Sequence, residues 1–103
     1  MKIVVYGKAN HGETNRLREM FERTYHERIL QVFLNADDMT ETGRAYIQKQ
    51  IIKAAGIQGS YYPSVVVEHN SGRTWFRNAS IDTMFERVTT HIEKLNGNER
   101  AAR

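Results

Sequence analysis

The chain has 103 residues, of which 40% are hydrophobic and 26% charged, which is the composition of one soluble globular domain with a modest core. It contains no cysteine, and this excludes disulfides, thiol nucleophiles, thiolate zinc sites and any dithiol redox cycle. The formal charge is +3, but the 15 basic and 12 acidic residues are interspersed, and the densest basic stretch, Arg100-Ala101-Ala102-Arg103, is too short to form a nucleic-acid-binding arm.

No apolar run approaches the ~18 residues of a membrane span. Strand residues start at position 2, with no basic and apolar leader before them, so the expected setting is cytoplasmic. Ile3-Val4-Val5-Tyr6 is β-branched and aromatic and predicts a buried strand. After the turn Ala9-Asn10-His11-Gly12-Glu13-Thr14, the residues Leu17, Met20 and Phe21 recur at helical spacing, with Arg16, Arg18, Glu19, Glu22 and Arg23 on the other faces. A helix from Gly12 or Glu13 to about Tyr25 follows. Its first N–H groups point outward from the turn, where they favour an anion, a thiolate or a polar side chain.

Ile29-Leu30-Gln31-Val32-Phe33-Leu34 predicts a second strand, buried on both faces and therefore inside a sheet. Strand, helix and strand form a βαβ unit with parallel strands and a right-handed crossover. Asn35-Ala36-Asp37-Asp38 breaks the pattern, and Asp38 with Glu41 makes a capping-box arrangement for a helix over about Met39 to Ala55. Tyr46, Ile47, Gln50, Ile51 and Ala54 mark its apolar stripe, and Gly56 is the left-handed stop.

Ile57-Gln58-Gly59-Ser60 is a connector. Pro63, the single proline, opens a strand, where its missing N–H breaks no ladder. Val65 to Glu68 and Arg73 to Phe76 flank the polar loop His69-Asn70-Ser71-Gly72 and predict an antiparallel hairpin. Ser80 caps a last helix carrying Ile81, Met84, Phe85, Val88, Ile92 and Leu95, and Asn96-Gly97 ends it. Residues 1–96 are thus expected to form the domain and 97–103 a flexible tail. The order β-α-β-α-β-β-α describes an α/β protein with a mixed four-stranded sheet and helices on both faces.

Val4-Val5-Tyr6-Gly7-Lys8-Ala9-Asn10-His11-Gly12-Glu13-Thr14 resembles the opening of a glutaredoxin: an apolar strand ending in Tyr, a small residue, Lys, and three positions later the redox motif. His11-Gly12-Glu13-Thr14 stands where that family has Cys-x-x-Cys. Gly56, Tyr61-Tyr62-Pro63 and the run Ser64-Val65-Val66-Val67 resemble the family's segment before its third strand in order and spacing. The resemblance covers about residues 2–95 and implies the thioredoxin-like fold in its glutaredoxin form. It also implies a cis Tyr62–Pro63 bond lying against the active-site turn, and Lys8 as the family lysine that contacts a glutathione carboxylate.

The departures bear on chemistry. His11 takes the position of the attacking cysteine, and imidazole performs no disulfide exchange. Thr14 takes that of the second cysteine; its hydroxyl can cap a helix but resolves no disulfide. The family's Gly-Gly followed by Asp falls at Asn78, Ala79 and Asp82, where a side chain blocks close backbone approach. No cofactor is expected, glutathione being the one candidate that the resemblance offers.

The leading expectation is a redox-inactive glutaredoxin-like binding module that holds a protein or extended peptide in the former active-site groove. Lys8, His11, Arg16, Tyr61, Tyr62, Pro63 and Arg77 form that groove. A small cysteine-free variant of this kind suggests a phage or other accessory protein acting on a host factor. One alternative is a glutathione-dependent or His11-assisted transferase or hydrolase, with His11 and Thr14 as its catalytic candidates. Another is a nucleic-acid accessory protein. His11, His26, His69 and His91 are too dispersed to predict a metal site. Of Tyr61, Tyr62, Trp75 and Phe76, half are expected in the core by strand alternation and the others at the surface as interface anchors.

Overall fold

Strand β1 (Lys2–Gly7) lies inside a four-stranded sheet, paired parallel with β2 (Leu30–Asn35) and antiparallel with β3 (Ser64–His69), which pairs antiparallel with β4 (Gly72–Phe76). In this computed structural model the backbone is described for residues 1–56, 59–70 and 72–101, and side chains as far as Gly97. The helices are α1 (Gly12–Tyr25), α2 (Glu41–Ala55) and α3 (Ile81–Ala101). The arrangement is the expected α/β one, a thioredoxin-like β-α-β-α-β-β-α order with a mixed sheet.

Alternation along β1 divides the core. Ile3 and Val5 meet Leu17 and Phe21 of α1, Val65 and Val67 of β3, and Met84, Val88 and Ile92 of α3. Tyr6 points to the opposite face, with Ala36 and the α2 residues Ile47 and Ile51. Each fully buried apolar side chain contributes about 1.5–3 kcal/mol relative to exposure, so the larger cluster between the sheet and α1 and α3 is the main stabilising layer.

Four local expectations change. β2 is not inside the sheet: the order β2-β1-β3-β4 makes it an edge strand, and Leu30 is 63% exposed. The cap of α2 is Thr40, whose hydroxyl accepts from the Gly43 N–H at 3.0 Å, because Ala36–Asp38 forms a separate 3-10 turn capped by Asn35. Of the α2 stripe, Ile47 and Ile51 are buried, whereas Tyr46 is 52% exposed and Ala54 is exposed; α2 touches the sheet along a narrow seam. Finally, α3 runs through Asn96 and Gly97 to Ala101, since Gly97 does not adopt the left-handed conformation of a stop.

Gly56 ends α2 with φ 59°, Ser80 caps α3 through the Thr83 N–H at 3.2 Å, and β3 and β4 form the expected antiparallel hairpin, with Glu68 opposite Arg73. Ile57 and Gln58 of the connector, Ser71 of the hairpin loop and Ala102 and Arg103 of the tail lie outside the described residues.

Candidate functional site

The register gathers four chain reversals at one end of the sheet. Gly7 pairs with Asn35, Tyr6 with Ser64, and Val65 with Phe76. The turn after β1, the Asn35–Asp38 corner, the segment before Pro63 and the chain after Phe76 therefore meet at the same rim.

His11 is the N-cap residue of α1, in extended conformation, yet its side chain makes no capping bond to the backbone. Its Nδ1 lies 2.8 Å from Thr14 Oγ1 instead. Thr14 does not cap the helix either: it is fully buried, turned toward His11 and packed against Gly7. The turn is fixed by the His11 N–H donating to the Lys8 carbonyl at 3.1 Å and by Asn15 Nδ2 donating to the Ala9 carbonyl at 2.9 Å.

Lys8 reaches the opposite wall. Its Nζ lies 5.4 Å from the centre of the Tyr62 ring, a cation–π distance, and 3.6 Å from Asp37 Oδ1. Tyr62 in turn stacks on Tyr6, with ring centres 5.3 Å apart and planes inclined by 14°. The Tyr6 hydroxyl is buried and has no hydrogen-bond partner among the described residues; Tyr62 and Gln48 are its polar neighbours. Burial, with Tyr62 beside it, pushes the Tyr6 phenol up to about 12.

The Tyr62–Pro63 bond is cis, as the resemblance implied. The backbone before it is occupied by its own chain. Ser60 Oγ accepts from the Tyr62 N–H at 3.1 Å and donates to the Tyr62 carbonyl at 3.3 Å, while Ser64 Oγ donates to the Tyr61 carbonyl at 2.6 Å. Arg77 braces the same segment through Nε, which donates to the Ser60 carbonyl at 3.0 Å, and its Nη1 donates to the Asn78 carbonyl. Burial lowers the Arg77 pKa, against which the charge of Glu13 acts.

Lys8, Tyr61, Tyr62, Pro63 and Arg77 thus belong to one connected rim, with His11 in the adjoining turn. Arg16 is held elsewhere: its Nη2 lies 3.3 Å from Asp82 Oδ1, bridging α1 to α3. That bridge also engages Asp82, and Asn78 accepts from the Ser80 N–H at 2.9 Å. Tyr61, Tyr62, Trp75 and Phe76 are all half-buried, so none stands out as a fully exposed anchor. Tyr61, Tyr62 and Trp75 pack on the α2 side and Phe76 on the α1–α3 side.

Sequence reasoning passed over Ser60, Asp37 and Gln48. Ser60 was legible as a hydroxyl two residues before Tyr62, the spacing of a side-chain-closed turn. Among the described residues, no group of three or more His, Asp or Glu side chains is placed to hold a metal, and no helix is long and apolar enough to cross a membrane. No family model and no curated protein matches this chain.

Proposed function

We propose that the chain is a glutaredoxin-like protein whose groove has become a binding cleft for an extended segment of a protein partner, without thiol chemistry. The reading carries with it a cytoplasmic role as a phage or other accessory protein acting on a host factor. The observation that carries it is Lys8 over the Tyr62 ring beside the cis Tyr62–Pro63 bond. A cation and an aromatic wall at one rim match a peptide with an acidic or C-terminal carboxylate. Lys8 is 41% exposed, so it remains within reach of such a group.

The His11–Thr14 hydrogen bond is the one feature that serves the alternative, a His11-assisted transferase or hydrolase. Thr14 is fully buried, which keeps its hydroxyl from a substrate and favours the binding reading. Glutathione would have to approach Asn78 and Ala79, whose side chains stand where the family has glycines.

The test uses the labelled protein and two variants, Lys8→Ala and Tyr62→Ala. Pull-down from extract is expected to retain a partner with the native chain and to lose it with both variants. Retention unchanged in both would sink the groove. A parallel NMR titration with glutathione is expected to leave the Lys8, His11 and Asn78 amides in place; saturable shifts there would restore the enzymatic reading.

A further inference from the structure

The outer edge of β4 carries a second surface, which meets the rim above at Phe76, Arg77 and Asn78. Two adjoining cavities meet at the last residue of β4, Phe76. One, of about 310 Å³, is lined by Ala54 and Ala55 of α2 on one side of the sheet and by Met84 and Arg87 of α3 on the other, with Trp75 and Arg77 between them. The cavity thus sits where β4 ends and the chain leaves the sheet, and β4 is the last strand in the sheet order. The other cavity, of about 500 Å³, shares Phe76 and Arg87 with the first and continues along α3 past Thr90 and His91 to Lys94.

Charge distinguishes this groove from another, more voluminous cavity. That one, about 730 Å³ between α1 and β2, is lined by Arg18 and Arg23 and equally by Glu19 and Glu22, and its Arg18 guanidinium is already seated 3.9 Å over the Phe33 ring. The β4 groove is lined by Arg77, Arg87 and Lys94 with Glu86 as the acidic residue in the same lining, and Glu13 acts on Arg77. Among the described residues, none of the three cations is in an ion pair. His91, 5.4 Å from the Phe76 ring centre, reports the same field: burial first, then Lys94 and His69, oppose its protonation.

We propose that this groove receives an acidic segment of a partner protein, which adds to β4 as a fifth strand with its carboxylates on Arg87 and Lys94. An open edge supplies backbone N–H and C=O groups at the spacing of another strand. The five residues of β4 span about 17 Å. Arg87 and Lys94 of α3 line the same cavity as Phe76, the last residue of β4, so a segment paired with β4 reaches them at that end. A nucleic acid fits less well, because single strands need open stacking faces. Here Trp75 lies against the α2-side core and Phe76 against His91.

Trp75 is the only tryptophan and sits in the groove, so its fluorescence reads occupancy directly. The probes are an eight-residue peptide of alternating Glu and Thr, its Lys–Thr counterpart, and an eight-nucleotide oligothymidylate. The Glu–Thr peptide is expected to change Trp75 emission saturably and to shift amides along β4 and α3. Affinity should fall with salt and drop about tenfold or more in the double variant Arg87→Glu, Lys94→Glu. Both positions are exposed, so circular dichroism should stay native. The same double variant should lose the shifts along β4 and α3 and keep any at Lys8 and Tyr62, which separates this surface from the rim groove. No response, an equal response to the Lys–Thr peptide, tighter binding of the oligothymidylate, or shifts confined to Lys8 and Tyr62 would each overturn the proposal.

Discussion

The side chain of Thr14 fills the space in which Gly7 would carry a Cβ: such an atom would stand 2.5 Å from Thr14 Oγ1 and 2.6 Å from Cγ2. The end of β1 and the first turn of α1 are in contact through this absence of a side chain. Gly7→Ala is therefore expected to destabilise the fold by about 1–3 kcal/mol. Urea denaturation of the single variants and of Gly7→Ala with Thr14→Ala tests the cause. The double variant should be more stable than the sum of the two losses predicts; strict additivity would mean that the clash is not what Gly7 avoids.

Ser60 closes the backbone of Tyr62 on both its N–H and its carbonyl. In Ser60→Ala these two groups become available to a docking strand. The Tyr62 amide should then exchange with solvent faster, at a stability cost of about 0.5–1.5 kcal/mol, and an extended partner should bind the rim more tightly. Hydrogen exchange followed by NMR reads the first effect. Unchanged Tyr62 protection would show that Ser60 does not hold this backbone.

Tyr6 gives the fold an alkaline limit. Its phenol is raised from the ordinary 10 to about 12, so the folded chain keeps this proton where the unfolded chain loses it. The stability this adds is complete below pH 10 and declines as the pH rises through about 12. Tyr6→Phe should flatten that decline in urea titrations at several pH values. At neutral pH the variant should lie within about 1 kcal/mol of the native chain, because the hydroxyl it removes has no partner among the described residues.

His26 follows the last turn of α1 with φ 48°, in the half of conformational space where a β-carbon costs about 1–2 kcal/mol. Its side chain is exposed, while its N–H donates to the Glu22 carbonyl at 2.8 Å and its carbonyl accepts from Gln31. Those backbone bonds survive in His26→Gly. The variant should gain about 0.5–1 kcal/mol, net of the added freedom of its unfolded chain. Thermal melting checks this; an unchanged or lower Tm would mean that His26 is not strained.

Features written in neighbouring residues were legible in the sequence. The strand-turn-helix from Ile3 to Phe21, the Gly56 stop, the Ser80 cap and the α3 stripe each depend on side chains a few positions apart. The position of β2 does not. Its run Ile29 to Leu34 is apolar enough for an inner strand, and only the pairing of β1 with β3 leaves it at an edge. The cap of α2 went to Thr40 rather than Asp38 because two adjacent starts competed, and Asn35 had already closed the first. In the site, Lys8, Tyr62 and Pro63 were readable. Asp37 and Ser60 were not singled out, since each matters through a partner that only the folded rim brings near.

The inner position of β1 also sets an order of assembly. The unit β1–α1–β2 is complete once Asn35 has left the ribosome, and its parallel pairing closes over a single helix. The β1–β3 pairing must wait for Val65 and Val67, and the larger core for Ile92, on the far side of α2 and the hairpin. Loop closure over that distance is slow compared with helix formation. Until it happens, Ile3, Val5 and Phe21 lack the strand and helix that cover them. That half-made sheet is the species on which a chaperone, or another nascent copy of the chain, would act.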